Sequence, residues 1–235
     1  MKAKPLLFCF TYAGGTANFF DIIEKELPDI KLIKLEYAGH GERHKEGFYQ
    51  NFDELTNDMF REIRDRLIGR DYGLFGYSMG SISTVEILKM ILDQGHPIPK
   101  HVFLAAHEPH TKPELSGYTD GELDEWVRAR TIQFGDVPEK LINNKVFWRT
   151  YLPIYRADYS IIGKYEFEKL GLETSVSATV FYSENDTPLA DMKLWKKYFI
   201  GDCEFHSYTG THFFIREHYK DMAGIINAKM LESRE

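Results

Sequence analysis

The sequence predicts an α/β protein whose mainly parallel sheet is covered by helices on both faces. Short apolar runs alternate with segments of helical periodicity along most of the 235 residues. The first run, residues 6–11, is continuously apolar, which is typical of a strand buried on both faces. A strand, glycine loop and helix in succession imply parallel strands joined by crossover helices. We therefore expect one α/β domain over residues 1–235.

The elements of this domain are predicted from apolar periodicity and from glycine and proline positions. The helix at 52–68, for example, has Leu55, Met59 and Ile63 at helical spacing, with Asp53 as a candidate N-cap. The predicted strands are 6–11, 30–37, 72–77, 101–106, 176–182 and 204–208. The predicted helices are 17–27, 52–68, 81–92, 123–131, 138–151, 155–170, 189–199 and 215–231.

The alternation of strands and helices stops between residues 107 and 172, where only helix-like segments occur. Nine aromatic residues fall in 126–167, which is 21% of that segment against 14% of the whole chain. These rings are expected to form a small core of their own, to line a pocket, or to do both. We predict that 107–172 is a helical lid inserted in the domain.

The composition is that of a globular protein with no membrane-spanning run. Hydrophobic residues make up 43% and charged residues 28% of the chain. The net charge of −7 argues against nucleic acid as the main partner, because phosphate binding needs a basic surface. The N-terminal run faintly resembles a signal peptide but is broken by Pro5, and Cys9 and Cys203 do not form a disulfide framework. We expect a cytoplasmic protein.

The motif Gly76-Tyr77-Ser78-Met79-Gly80 lies between a predicted strand and a predicted helix. This G-x-S-x-G pattern in that context is typical of a nucleophile elbow, where a strained turn exposes the serine hydroxyl. The glycines are needed where the strand and the helix nearly touch. The alternative is an ordinary glycine turn, but the context favours Ser78 as a catalytic nucleophile.

A serine hydroxyl needs a nearby base, and that base needs an acid to orient it. Enzymes built on this elbow present them in the order serine, acid, histidine. Only His212, among nine histidines, lies in a glycine-bearing loop between the last predicted strand and helix, and His206 is its main competitor. Asp186 follows a late strand and is the predicted acid, with Glu108 as the alternative.

The oxyanion of an acyl-transfer intermediate needs two amide donors. The amide of Met79, the residue after the nucleophile, is the first, and the amide of Ala13 in the early glycine loop is the second. Tyr12 is the alternative to Ala13. Tyr12, Tyr77 and Phe213 adjoin these site residues in the chain and are predicted to bind substrate.

No metal and no cofactor are expected. His107, Glu108 and His110 lie close together in the sequence, but their spacing matches no recognisable ligand frame.

Several segments together resemble the type II thioesterases, stand-alone α/β-hydrolases that accompany nonribosomal peptide and polyketide synthetases. Medium-chain fatty-acid thioesterases are close relatives of these enzymes. The resemblance covers essentially the whole chain, and its lid segment with Arg-Ala-Asp is more specific than the elbow. The segments are Tyr12-Ala13-Gly14-Gly15, Gly39-His40-Gly41-Glu42-Arg43, Gly76-Tyr77-Ser78-Met79-Gly80, Gly135-Asp136-Val137-Pro138, Leu152-Pro153-Ile154-Tyr155-Arg156-Ala157-Asp158-Tyr159 and Gly210-Thr211-His212-Phe213-Phe214.

The chain departs from the family at three places. Thr11 stands where the family usually has proline, Tyr77 where it has histidine, and Ala105-Ala106-His107-Glu108 where it has a small Ser-Gly segment. None of these departures removes a catalytic atom. They bear on the acyl group that the site accepts.

The resemblance implies a substrate carried on phosphopantetheine, namely an acyl or aminoacyl thioester on a carrier protein. Its hydrolysis would restore the free thiol, with carrier domains of a synthetase as partners. Carrier proteins are typically acidic, so docking would use local cations, unless these form only a solvated surface. The candidates are Arg43, His44 and Lys45, or Lys193, Lys196 and Lys197. We expect a monomer.

Two other functions fit parts of the pattern. A small-molecule carboxylesterase or lipase would use the same triad on a different substrate. A hydrolase-fold binding protein without catalysis would not need Ser78, Asp186 and His212 together.

Overall fold

The computed structural model describes residues 3–110, 117–135 and 137–232. Residues outside these ranges include part of the predicted lid and Asp136, one of the residues that carry the family resemblance. No helix within the described ranges is both long and apolar enough to cross a bilayer.

Six parallel strands form one sheet in the order β2-β1-β3-β4-β5-β6. The chain runs outward from β1 to β2 and then crosses back to β3, so the strand order reverses between β1 and β3. Loops at such a reversal diverge and leave a crevice at the carboxyl edge of the sheet. The strands are β1 (Leu6–Phe10), β2 (Lys31–Lys34), β3 (Tyr72–Tyr77), β4 (Val102–Ala105), β5 (Ala178–Ser183) and β6 (Cys203–Tyr208).

Helices cover both faces of the sheet. The α-helices are α1 (Asp21–Glu24), α2 (Phe52–Ile63), α3 (Met79–Asp93), α4 (Asp120–Gln133), α5 (Lys145–Lys164), α6 (Leu189–Met192) and α7 (Ile215–Leu231). Alternate residues of β1 point to opposite faces, where Phe8 packs with α2 and α3, and Leu7 packs with α1 and α7. The predicted fold class is confirmed by this architecture.

Some predicted helices are shorter or less regular than expected. The predicted helix at 17–27 is a 3-10 turn, Ala17–Phe20, followed by α1, and the one at 189–199 is α6 followed by the 3-10 turn Lys193–Lys197. Apolar spacing does not distinguish these forms, because both place residues three apart on one side. Asn51 rather than Asp53 caps α2, since the Asn51 side chain accepts a hydrogen bond from the Glu54 amide.

Helix α5 replaces two predicted pieces, 138–151 and 155–170, with one helix of 20 residues. Pro153 lies inside this helix, in the gap between the two predicted pieces, and a proline inside a helix usually kinks or breaks it. Its side of the helix is exposed, so the carbonyl that loses its donor can bind water, while Trp148 and Leu152 anchor the buried side against α4. Tertiary packing therefore outweighs the cost of the proline.

Helices α4 and α5 share a small core of their own between β4 and β5. Its buried members are Leu123, Val127, Val137, Trp148, Leu152 and Tyr155. Other rings of the same helices, those of Trp126 and Tyr159, border a cavity beside Ser78.

Candidate active site

Ser78 occupies a strained turn between β3 and α3. Its φ of 54° and ψ of −119° are unusual for a residue with a side chain, and its amide donates to Ala105 O at 2.7 Å. A Cβ at Gly76 would lie 2.2 Å from the Gly80 oxygen, and one at Gly80 would lie 1.9 Å from the Phe10 oxygen. The two glycines of the motif are thus required by the close approach of strand and helix.

The structure brings Ser78, His212 and Asp186 into one line of hydrogen bonds. His212 Nε2 lies 2.9 Å from Ser78 Oγ, and His212 Nδ1 lies 2.8 Å from Asp186 Oδ2. A carboxylate only accepts, so Nδ1 carries the proton and Nε2 is left to accept the proton of the serine hydroxyl. The side chains of His212 and Asp186 are 6% and 5% exposed, so water competes little for these bonds.

The two alternative residues lie elsewhere. Glu108 borders the same cavity, but its carboxylate accepts a long hydrogen bond from Thr187 Oγ1 at 3.4 Å, and the acid beside His212 is Asp186. His206 lies on β6, where its Nε2 is 3.4 Å from Glu204. The imidazole that bonds to Ser78 Oγ is that of His212.

Two amides near Ser78 are available to an oxyanion. Met79 is the first residue of α3, and amides of a first helical turn have no acceptor within the helix. In the early loop the Gly15 amide donates to Tyr12 O at 2.9 Å and the Gly14 amide donates to Asp158 at 2.7 Å. Among the described ranges of the chain the Ala13 amide has no hydrogen-bond acceptor, which favours it as the second donor.

Two cavities meet at the histidine. The larger, of about 240 Å³, is bordered by Ser78, His107, Glu108, Trp126, Arg130 and Tyr159. The smaller, of about 10 Å³, lies between the early loop and the Phe213 ring. Within the described ranges no three His, Cys, Asp or Glu side chains are grouped so as to hold a metal ion.

Comparison with known proteins identifies the family. Residues 5–230 match the family described as the Thioesterase domain. The chain belongs to the thioesterase domain family. The resemblance to thioesterases is thereby confirmed, and the protein is a hydrolase that acts on thioesters.

Three known proteins illustrate how far the similarity extends. Linear gramicidin dehydrogenase LgrE of Brevibacillus parabrevis is 27% identical over 97% of this chain and 89% of its own. The medium-chain S-acyl fatty acid synthase thioesterase of Rattus norvegicus is also 27% identical, over 89% of this chain and 81% of its own. The structure of the type II thioesterase BorB from the borrelidin biosynthetic cluster shares the fold, with a TM-score of 0.82 and 24% identity over 98% and 94% of the two chains.

The predicted substrate contacts of this thioesterase divide into two groups. Tyr12 and Phe213 border the smaller cavity, and their rings meet edge to face with centroids 4.8 Å apart. Tyr77 is fully buried and its hydroxyl donates to the carbonyl oxygen of His212 at 2.6 Å. Tyr77 was predicted to bind substrate, but it borders neither cavity. Its hydroxyl bonds instead to the loop that carries His212.

Phe134, at the end of α4, is a site residue that sequence reasoning missed. Its ring is stacked on the imidazole of His212, with centroids 3.9 Å apart and planes 10° from parallel. The guanidinium carbon of Arg130 lies 4.1 Å from the centroid of the Phe134 ring, and Thr211 Oγ1 donates to the Phe134 carbonyl at 3.3 Å. The aromatic enrichment of the inserted helices was the available signal, but it does not indicate which ring reaches the histidine.

Proposed function

We propose that this thioesterase releases acyl or aminoacyl groups from the phosphopantetheine arms of carrier proteins and so restores their free thiols. The observation that carries the proposal is that Ser78, His212 and Asp186 are joined by hydrogen bonds. They lie beside a cavity and two amides that are available to an oxyanion. The similarity to a type II thioesterase from a biosynthetic cluster supports a carrier-bound substrate. We further propose that it acts in the cytoplasm as a monomer. It is proposed to need no cofactor, since the substrate itself carries phosphopantetheine.

The first half of the reaction transfers the acyl group to the enzyme. His212 Nε2 takes the proton of Ser78 as Ser78 Oγ bonds to the thioester carbonyl carbon. The amides of Met79 and Ala13 stabilise the resulting oxyanion. When the carbonyl re-forms, the carbon–sulfur bond breaks and the sulfur takes the proton from the imidazolium, which leaves an acyl ester on Ser78.

The second half returns the free enzyme. A water molecule occupies the position of the departed thiol, and His212 removes its proton as its oxygen attacks the ester. Collapse of the second intermediate releases the acid and returns the proton to Ser78. Asp186 keeps the imidazole in the required tautomer and stabilises its charged form during both halves.

The helices between β4 and β5 are proposed to form the lid of this site. Trp126 and Tyr159 border the larger cavity, and Phe134 covers one face of the histidine. A thioester tethered to a large carrier needs an opening above Ser78. Displacement of α4 would provide it, because Trp126 lies on α4 and Phe134 directly follows its last residue.

Carrier docking is proposed to use Lys193, Lys196 and Lys197 rather than the cluster at Arg43. Arg43 already pairs with Glu46 and Asp58, so its charge is largely neutralised. The three lysines are exposed, with Lys196 lying 5.6 Å from the centroid of the Phe205 ring. They are the cations better placed to attract an acidic domain.

A dehydrogenase function, as named for one relative, has less support in this chain. Binding of a dinucleotide after the first strand typically uses the pattern G-x-G-x-x-G. The loop after β1 reads Thr11-Tyr12-Ala13-Gly14-Gly15 and does not have that pattern. The strained serine at the end of β3 favours acyl transfer instead.

The proposal is tested by a hydrolysis screen on carrier-bound acetyl, aminoacyl and longer acyl thioesters, with p-nitrophenyl esters in parallel. We expect rapid release of at least one carrier-bound group and no release by the Ser78→Ala variant. Efficient turnover of the aryl esters with inert carrier thioesters would instead support a small-molecule esterase. Failure of a fluorophosphonate to label Ser78 in folded protein would support a binding protein.

A further inference from the structure

A buried ion pair joins Asp158 of helix α5 to His40 in the loop that follows β2, and Asp158 also bonds to the loop that follows β1. Asp158 of α5 is 3% exposed and His40 is 1% exposed. A single oxygen, Asp158 Oδ2, accepts hydrogen bonds from His40 Nε2 at 2.9 Å and from the Gly14 amide at 2.7 Å. None of these residues belongs to the serine, histidine and aspartate line. A buried ion pair often contributes little net stability, so its presence here invites a different explanation.

The hydrogen bonds of His40 require a proton on both ring nitrogens. Its Nδ1 lies 3.0 Å from the carbonyl oxygen of Ala38, and its Nε2 faces Asp158. A carbonyl and an ionised carboxylate only accept, so both nitrogens donate and the ring is an imidazolium. Burial lowers the pKa of His40, but the charge of Asp158 and the two hydrogen bonds outweigh burial, and the pKa is raised.

Gly14 is enclosed by two side chains of α5. The ring of Tyr155 packs so closely that a Cβ on Gly14 would lie 2.1 Å from it, and Asp158 holds the Gly14 amide. Tyr155 and Asp158 are three residues apart, so they lie on the same side of the helix. Gly14 also has a φ of +80°, which a residue with a side chain rarely adopts. The position and backbone shape of this glycine therefore depend on where α5 lies.

The neighbour of this glycine is the residue proposed to donate its amide to the oxyanion. The Gly14 N–H belongs to the planar peptide group that begins at the Ala13 carbonyl, so fixing it restricts rotation at the Cα of Ala13. The direction of the Ala13 amide is then restricted as well. A small misplacement of such a donor lowers catalysis, because its stabilisation depends on aiming at the developing charge.

We propose that His40 and Asp158 are positioning residues that aim the Ala13 amide at the oxyanion by holding Gly14 against α5. His40 provides the positive charge that keeps the buried carboxylate in place. Asp158 transmits that constraint to the loop through the Gly14 amide. The inference rests on the proposed acyl-transfer function of Ser78, but it applies to any acyl substrate that the serine accepts.

Two substitutions test the role. Asp158→Asn preserves size and one acceptor oxygen but removes the negative charge that pairs with His40, so the buried imidazolium loses its counter-ion. His40→Gln removes the charge while Asp158 is retained. We expect each variant to lower kcat by about 10- to 100-fold and to change KM by less than about threefold. The expected fall in kcat is smaller than the loss caused by removing an oxyanion donor altogether, because the amide is misaimed but still present.

A second measurement separates positioning from general loosening of the fold. Phenylboronic acid forms a tetrahedral adduct with an active serine, so we expect its affinity to fall with kcat in both variants. Arg156→Gln is the matched control. Arg156 lies on α5 two residues before Asp158, but its side chain pairs with Asp124 on α4 and not with His40 or Gly14. Its kcat and its boronate affinity are expected to match those of the wild type.

The assays are run on a carrier-bound thioester and on p-nitrophenyl acetate, below the melting temperature of each variant. Wild-type kcat and boronate affinity in folded His40→Gln would overturn the inference, as would an equal loss in Arg156→Gln. If Asp158→Asn does not fold, His40→Gln decides by the same criteria. Absence of thioester hydrolysis by the wild type would overturn the proposed function and leave the ester assay to test the positioning.

Discussion

The hydroxyl of Tyr77 donates a hydrogen bond to the main-chain carbonyl oxygen of His212 at 2.6 Å. Tyr77 immediately precedes the nucleophile, so this bond links the elbow to the loop that carries the imidazole. Burial raises the pKa of Tyr77 well above its ordinary value, so the hydroxyl remains a donor at neutral and moderately alkaline pH. The separation of serine and histidine therefore depends on a side chain that contacts neither cavity.

Replacing Tyr77 with phenylalanine is expected to loosen this arrangement. The Tyr77→Phe variant should lose up to about tenfold in kcat, because small misplacements of catalytic groups are costly. It should also lose about 1–3 kcal/mol of unfolding free energy, since a buried carbonyl loses its donor. Hydrolysis kinetics and urea denaturation measure the two effects. Tyr208→Phe, which removes an exposed bond to Asp221, is the control, and equal effects in the two variants would contradict the account.

The elbow glycine Gly80 should not tolerate alanine. Its Cβ would lie 1.9 Å from the backbone oxygen of Phe10, so either β1 or α3 must shift. We expect Gly80→Ala to lose about 3 kcal/mol or more of unfolding free energy, or to fail to fold. Gly224→Ala is the control, because nothing lies within 4 Å of that Cβ in α7. It should gain up to about 1 kcal/mol, and a stable, active Gly80→Ala variant would refute the described packing.

His101 makes stability depend on pH in the acid range. Burial lowers the pKa of His101 to about 4, and its Nε2 lies 2.8 Å from Thr179 Oγ1. A histidine with a lowered folded pKa binds its proton more readily when unfolded, so its contribution is complete above about pH 6.5 and is lost as pH falls toward 4. The loss amounts to about 3 kcal/mol in total. Thermal melting from pH 7 to pH 4 should show a smaller decline in His101→Gln, and unchanged pH dependence would contradict this assignment.

The identity of the acid is tested by comparing two carboxylates near His212. Asp186→Asn keeps the shape of the site but favours the wrong imidazole tautomer, so we expect kcat to fall on the order of 10⁴-fold. Glu108 borders the cavity, but the carboxylate that faces His212 Nδ1 is that of Asp186. The effect of Glu108→Gln on kcat should therefore stay within about tenfold. A near-complete loss in Glu108→Gln with an active Asp186→Asn would transfer the role to Glu108.

Much of the fold follows from periodic patterns that are local in the sequence. The central strands were predicted closely because their apolar runs are continuous and end at glycine, and the helix Ile215–Leu231 was predicted with its observed ends. The continuity of α5 through Pro153 was missed, because burial of Trp148 and Leu152 against another helix decides it. Such tertiary contacts are not encoded in the local pattern that the prediction uses.

The site divides in the same way. The grouping of Ser78 with Asp186 and His212 was predicted from their motif and chain order, and the structure joins the three side chains by hydrogen bonds. The contact of Phe134 with His212 was not found, since it depends on how α4 lies on the last loop. His40 and Asp158 are 118 residues apart in the chain. Each stands in a segment that resembles the family, but nothing in the sequence indicates that the two side chains pair. Distances between remote segments therefore required the structure.

The central claim is that Ser78 accepts the acyl group of a carrier-bound thioester with the help of His212. The most direct measurement is intact-protein mass spectrometry of the enzyme quenched during turnover of an acyl-carrier substrate. We expect a transient mass increase equal to one acyl group, located on Ser78 and absent from Ser78→Ala. Thiol release at the wild-type rate by Ser78→Ala, or an acyl group found on another residue, would contradict it.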